Sequence, residues 1–424
     1  MNKTKETFVF GFAIFAAFFG AGNLILPPFL GMNSGPDWWL VALGFIASAT
    51  VIPLLALLAH ARLQGTMMDF GKKVSPLFSL IFCLCVYIIA ITLPSPRTAA
   101  VTHEMAITPY FEGSSLLTSS IYFALVFLFV VNRSRVLQIL GKYLTPLIGV
   151  ILLAIIFVGI FSPINAMEAS IYEIPILSGF IEGYQTYDAL AGLLMGGVVV
   201  ISLNIKGNIS FEEKRSLIAR SGIVAMFGLF IIYAGMVLVG AKYNSQFNED
   251  IIRTELLSGI AMKTLGNVGS TFLSVLVALA CFTTAVGIVV GTADFFKGLF
   301  KESKKVYLVT AVISCVLGVL MGQMDVHYII DVALPALMFI YPLAIVLIVL
   351  NVVPEHLASN LVFRAVVLVA FIFSIPDFLG FLIEAEWLNG LKDNIPFADK
   401  NLGWVLPALL TFVLVNMLSK KKAE

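Results

Sequence analysis

Three groups of residues in this sequence have the types and spacing for chemistry. Asp188 stands about five residues inside an apolar stretch, 183–203, and is followed by Gly192, Gly196 and Gly197. An ionisable side chain at that depth is costly in a bilayer and marks a substrate or ion path. Its carboxyl could receive an ammonium group or a coupling cation; the alternative is a helix cap at the outer interface. In a second apolar stretch, Ala280, Thr283 and Thr284 share one helical face by their three- and four-residue spacing. Two hydroxyls and a carbonyl are hard oxygen ligands suited to a small alkali cation, although threonines in apolar helices also bond carbonyls of their own helix. The third group, Gly20-Ala21-Gly22-Asn23, interrupts the apolar run 8–31, which is closed by Pro27-Pro28. Glycine flexibility beside an amide side chain lets a helix open there, where bare backbone groups must face protein, water or a ligand; the alternative is a glycine kink that serves only close helix packing.

Other candidates read as structural. His103-Glu104 begins a metalloprotease pattern, but position 107 is Ile, so the HExxH motif fails. GxSxG, Walker A and GxGxxG are absent as well, and no enzyme is expected. Cys83, Cys85, Cys281 and Cys315 all lie in apolar blocks and read as small core residues. His60 and His356 fall at cytoplasmic ends of spans and His103 and His327 outside, so all four are expected to be solvated or interfacial. Asp294 and Asp377, near span ends, are expected to be solvated too.

The elements that must position these groups are membrane spans. The chain has 424 residues, 60% hydrophobic and 12% charged, with the hydrophobicity in long blocks. That composition excludes a soluble globular protein, and the net charge of +1 points to no nucleic acid. Twelve segments are long enough to span or nearly so: 8–31, 38–60, 77–94, 116–131, 143–161, 183–203, 219–240, 270–293, 306–324, 332–350, 362–382 and 402–418. With the N-terminus inside, twenty lysines and arginines fall on the cytoplasmic side and six outside, Arg97 among the six. Both termini are then cytoplasmic.

Spans one and six both look breakable near their middle. If spans one to five and six to ten are two halves, these two are counterparts, and an odd count gives the halves opposite topology. The expected organisation is 1–161 for the first repeat, 162–350 for the second, and 351–424 for two further helices and a tail. Glycines at GxxxG spacing, Gly192/Gly196, Gly287/Gly291 and Gly318/Gly322, are expected to serve close helix packing.

The stretch Gly11–Gly31, GFAIFAAFFGAGNLILPPFLG, closely resembles the first span of the branched-chain amino acid transport system II carriers, the LIVCS family. TYDALAGLLMG at 186–196 and ACFTTAVG at 280–287 resemble that family too, as does the twelve-span plan. The family is similar, more distantly, to the amino acid–polyamine–organocation superfamily. The resemblance therefore implies an all-α polytopic protein with the five-plus-five inverted-repeat fold of sodium-coupled leucine transporters, followed by two C-terminal helices. It implies that the carbonyls of Ala16 and Phe19 join the Ala280 carbonyl and the Thr283 and Thr284 hydroxyls around one sodium. Asn23 matches a position that holds a second sodium in some relatives, whereas Leu26 stands where those relatives carry an outer-gate arginine.

The residues and the resemblance agree on a mechanism. Opening span one at Gly20, Ala21, Gly22 and Asn23 frees N–H groups for a substrate carboxylate. The opened stretch of Asp188, Ala189, Leu190, Ala191 and Gly192 takes the ammonium group, and Tyr87 is a candidate lid, or else a core tyrosine. Few charges are left over for a substrate side chain, which favours an apolar one. The expectation is a cation-coupled symporter of leucine, isoleucine and valine in the cell membrane, working by alternating access with sodium as coupling ion. It needs no cofactor and no obligatory protein partner. The competing readings are a proton-coupled carrier of other small neutral amino acids, with Asp188 as the proton site, and a sensor that binds an amino acid without moving it.

Overall fold

Five serine or aspartate caps set the starts of long helices. Ser75, Ser210, Ser303 and Ser359 each accept a hydrogen bond from the backbone N–H three residues on, and Asp325 does the same for Tyr328. The computed structural model describes residues 3–20, 23–132, 135–163, 166–205, 210–248, 250–383 and 386–421, and no strand occurs among them. The α-helices in chain order are α1 (Lys3–Phe18), α2 (Leu26–Ser34), α3 (Trp38–Ile46), α4 (Ile52–Leu63), α5 (Met67–Phe70) and α6 (Pro76–Thr92). Then come α7 (Pro94–Thr102), α8 (Ser115–Asn132), α9 (Arg135–Phe161), α10 (Pro175–Glu182), α11 (Asp188–Ile205) and α12 (Phe211–Lys242). The last six are α13 (Arg253–Leu299), α14 (Lys304–Gly322), α15 (Val326–Val352), α16 (Asn360–Leu379), α17 (Glu386–Lys392) and α18 (Val405–Lys421).

Each of the twelve expected segments falls on one helix or on two meeting at an interruption. Among the described residues nine runs are long and apolar enough to cross a membrane, and Asp188–Val200 and Val405–Ser419 are shorter apolar helices. The connection before the eighth span is itself helical: α13 turns sharply at Gly266, whose φ of 71° favours glycine.

The interrupted spans are each laid along a helix of the opposite half. Both α1 and α2 pack on α12, while α10 packs on α3 and α11 on α4. Reciprocal glycines make the closest crossings. A Cβ on Gly31 would stand 1.9 Å from the Val237 carbonyl oxygen, and one on Gly240 would stand 2.0 Å from that of Pro28. The second crossing repeats this: a Cβ on Gly44 would meet the Ile176 carbonyl oxygen at 1.9 Å, and one on Gly179 that of Val41 at 2.1 Å. Exchanging the halves reproduces the contact, as an inverted repeat requires.

Three expectations change. His60 is buried rather than solvated: its Nε2 lies 2.9 Å from the Leu193 carbonyl oxygen and its Nδ1 3.1 Å from that of Gly65, because Gly196 opens room for the ring against α11. Asp377 is also buried, with Lys392 Nζ 3.7 Å from its Oδ1, so α17 shields the end of α16 from solvent. Of the GxxxG pairs, Gly192 faces Ala56 and Gly318 faces Phe123, but nothing stands within 4 Å of a Cβ on Gly287 or Gly291. The cysteines are free, with Cys83, Cys281 and Cys315 buried and Cys85 partly so.

Candidate substrate-binding site

In the first broken span α1 stops at Phe18 and α2 begins at Leu26 with Pro27 in its first turn, where the missing proline N–H costs nothing. The Gly20 N–H turns to the Phe18 carbonyl and the Asn23 N–H to that of Gly20. Ala16 and Phe19 therefore lose the donors that a continuous helix would give their carbonyls, and both oxygens are left at the end of α1. Ala21 and Gly22, two of the residues expected to bind substrate, lie outside the described residues.

The second break does not run through Asp188–Gly192. It falls just before, in a 3-10 turn over Gly183–Thr186 that ends at Tyr187, with φ 60° and ψ 10°. A bulky residue in the left-handed region is strained and is kept where the surroundings dictate it. Asp188, Ala189, Leu190, Ala191 and Gly192 are helical, the first turns of α11, and Gly192 serves the packing on α4. Asp188 is only 1% exposed, so it is no interfacial cap. Its N–H donates to Thr186 Oγ1 at 3.1 Å, which ties the side of the break to the start of α11.

The two breaks meet through side chains. Asn23 Nδ2 donates to Asp188 Oδ1 at 2.9 Å, and the Tyr233 hydroxyl, from α12, donates to Asp188 Oδ2 at 3.0 Å. On the other side of Asn23, Arg97 Nη2 donates to Asn23 Oδ1 at 3.2 Å, and Arg97 Nη1 donates to the Gln185 carbonyl at 2.7 Å. A guanidinium can only donate, so it fixes the orientation of the Asn23 amide: oxygen toward Arg97, nitrogen toward Asp188. The Arg97 guanidinium also lies 5.1 Å from the centre of the Tyr187 ring, within cation–π range. Polar burial of this kind costs several kcal/mol per charge unless hydrogen bonds compensate, and here each charge has them.

Arg97 corrects the charge tally. Counted outside the membrane, it is 3% exposed and sits at the heart of the site, because α7 continues across where Pro94-Ser95-Pro96 reads as a loop. The small-residue spacing of Ser95, Ala99 and Thr102 could have signalled that α7 is a packed helix, although Arg97 lies on its opposite side. Tyr233 and Gln185 had no such signal.

Of the cation-site candidates, Thr284 Oγ1 stands 3.9 Å from where a Cβ on Gly20 would be, so α13 carries its threonine pair to the first break. The Thr283 hydroxyl donates to the Ala280 carbonyl at 3.0 Å, which uses its hydrogen and leaves its oxygen lone pairs. Tyr87 is not brought to the breaks: its ring stacks on Phe295, centroids 4.2 Å apart, near the far end of α13.

Among the described residues the chain is an all-helical bundle in which two interrupted helices meet at a buried polar cluster, and this defines a membrane protein of the five-plus-five inverted-repeat class. Solved structures share the fold: the inward-facing conformation of Mhp1 matches with a TM-score of 0.60 over 98% of this chain and 90% of that one, at 13% identity. MhsT in complex with L-phenylalanine matches with a TM-score of 0.56 over 96% and 98%, at 17% identity.

The sequence comparisons are more specific. The family model for branched-chain amino acid transport proteins matches residues 3–422, and the chain belongs to that family. It is 32% identical to the branched-chain amino acid transport system 2 carrier protein of Pseudomonas aeruginosa, covering 97% of this chain and 95% of the relative. It is 31% identical to the branched-chain amino acid permease BraB of Bacillus subtilis, covering 98% and 96%. These relatives are named as transporters and not as enzymes.

Proposed function

We propose that this protein imports leucine, isoleucine and valine together with sodium, by alternating access. The observation that carries the reading is the meeting of both helix breaks at Asn23 and Asp188, with the Thr284 hydroxyl beside Gly20. A substrate ammonium group is received at Asp188, and the apolar residues of the neighbouring helices suit a branched side chain. Sodium is held by the carbonyls of Ala16, Phe19 and Ala280 and the hydroxyls of Thr283 and Thr284, a neutral oxygen set that suits a monovalent ion better than a divalent one. In this reading the chain crosses the cell membrane twelve times with both termini in the cytoplasm, and the repeats are 1–161 and 162–350, followed by two helices within 351–424.

Coupling to protons is the second reading, favoured by a buried carboxyl group, Asp188, that forms no ion pair among the described residues. One experiment separates the two. Purified protein in liposomes is given radiolabelled leucine with an inward sodium gradient, an inward proton gradient, or neither. Accumulation driven by sodium alone supports the sodium symporter; accumulation driven by protons alone moves the coupling role to Asp188. Uptake of none of the three amino acids under any gradient would overturn the substrate assignment.

A further inference from the structure

The relay Arg97–Asn23–Asp188 has a cation at one end and a carboxyl group at the other, joined by one side-chain amide. We propose that Arg97 is the anchor for the substrate's α-carboxylate, and that the Asn23 amide spans the two poles as a stand-in for the head of the amino acid. This rests on the reading of the protein as an amino acid carrier.

Four observations carry it. Arg97 is buried, yet its partners are neutral: the Asn23 amide oxygen, the Gln185 carbonyl and the Tyr187 ring face. A guanidinium has five N–H donors in a fork shaped for a carboxylate, and among the described residues two of them are engaged. Next, Gln185 is itself fully buried, and neither end of its side-chain amide has a partner among the described residues. An unsatisfied buried amide calls for an explanation, and a polar ligand entering beside it supplies one. Third, the Asn23 amide presents its oxygen to the guanidinium and its nitrogen to Asp188. An α-amino acid presents a carboxylate oxygen and an ammonium nitrogen in the same order, one bond further apart. Finally, Asn23 belongs to the irregular segment between α1 and α2, so its side chain can swing aside without unwinding a helix.

An amino acid that displaces the Asn23 amide exchanges two bonds made by a neutral group for two made between charges, which are the stronger kind. Displacement also frees the Asn23 side chain from Asp188 and Arg97. Filling the site is thereby linked to loosening the contact that holds α1–α2 against α11.

The test measures equilibrium binding to the purified protein in detergent with sodium present, using leucine, leucinamide and 3-methylbutylamine, the last being leucine without its carboxylate. The wild-type protein is expected to bind leucine about 100-fold more tightly than either carboxylate-free probe. Arg97→Gln is expected to reduce that preference to within about threefold, and Arg97→Lys, which keeps the charge without the fork, to leave it in between. A merely structural arginine would lower binding of all three probes together and leave their ratios unchanged, and that outcome overturns the proposal. So does a wild-type protein that binds 3-methylbutylamine as well as leucine, a comparison that needs no variant to fold. If the wild type binds leucine with the expected preference but Arg97→Gln and Arg97→Lys keep it, the anchor falls while the carrier reading stands. Failure of the wild type to bind leucine, isoleucine or valine at all removes both.

Discussion

Gly31 and Gly240 face each other across α2 and α12, each lying where the other helix's backbone leaves no room for a side chain. The crossing holds one side of the first break against the helix that carries Tyr233, which in turn hydrogen-bonds Asp188 beside the second break. Replacing Gly240 with Val drives a side chain into the Pro28 carbonyl. The expected cost is about 3 kcal/mol or more, seen as a lower melting temperature of the purified protein. Gly287→Ala, where a Cβ meets nothing within 4 Å, is the matched control and should leave the melting temperature close to wild type.

Thr284→Ala removes the hydroxyl nearest Gly20. Expression and leucine binding at saturating sodium should survive, while the sodium concentration for half-maximal uptake rises roughly tenfold, as expected for losing one ligand worth about 1.4 kcal/mol. A variant with the wild-type sodium response would count against the assigned cation site.

Gly20→Leu should abolish uptake. A Cβ there has space, its nearest neighbours being Asn23 Nδ2, the Phe18 carbonyl and Thr284 Oγ1, all at 3.9 Å. The protein is therefore expected to fold, with the rest of the leucine side chain filling the region between the break and α13. Wild-type transport by a stably expressed variant would take the break out of the mechanism.

Tyr233→Phe and Asp188→Asn separate positioning from binding. Losing the tyrosine hydroxyl removes one of the two donors on Asp188 and should weaken leucine binding by about 1.5 kcal/mol, roughly tenfold. Asp188→Asn replaces an acceptor that both Asn23 and Tyr233 use and should eliminate measurable uptake. Equal, mild effects of the two substitutions would show that Asp188 does not contact the substrate.

The all-helical membrane class and the interruption at residues 20–23 were legible because a bilayer enforces them: long apolar blocks with a glycine or an acid inside them have few physical explanations. That Asn23 and Asp188 stand beside the interruptions was legible for the same reason. The exact place of the second break was not, since nothing in Thr186-Tyr187-Asp188 announces a tyrosine in the left-handed region; glycines pointed to Gly192, which turned out to pack against α4. Arg97 was misread because loop charges are counted by position along the chain, and two prolines beside it imitate a loop. Tyr87 fits a lid by depth alone, and only its stacking on Phe295 tells that it faces elsewhere. His60 similarly needed the glycine across from it to be seen as a core residue.

The relay also sets an order on how the molecule can be made. Arg97 and Asn23 leave the ribosome early, but the Gln185 carbonyl that takes the Arg97 bond lies 88 residues further on, and Asp188 lies 165 residues beyond Asn23. While only α1 to α9 exist, the membrane holds a guanidinium with none of its second-half acceptors and a broken helix without α12 to lie on. A guanidinium inside a membrane span is costly until α10 to α12 arrive with those acceptors. The hydrogen bonds that close this cluster therefore form only after the second half supplies the Gln185 carbonyl, the Asp188 carboxyl group and the Tyr233 hydroxyl.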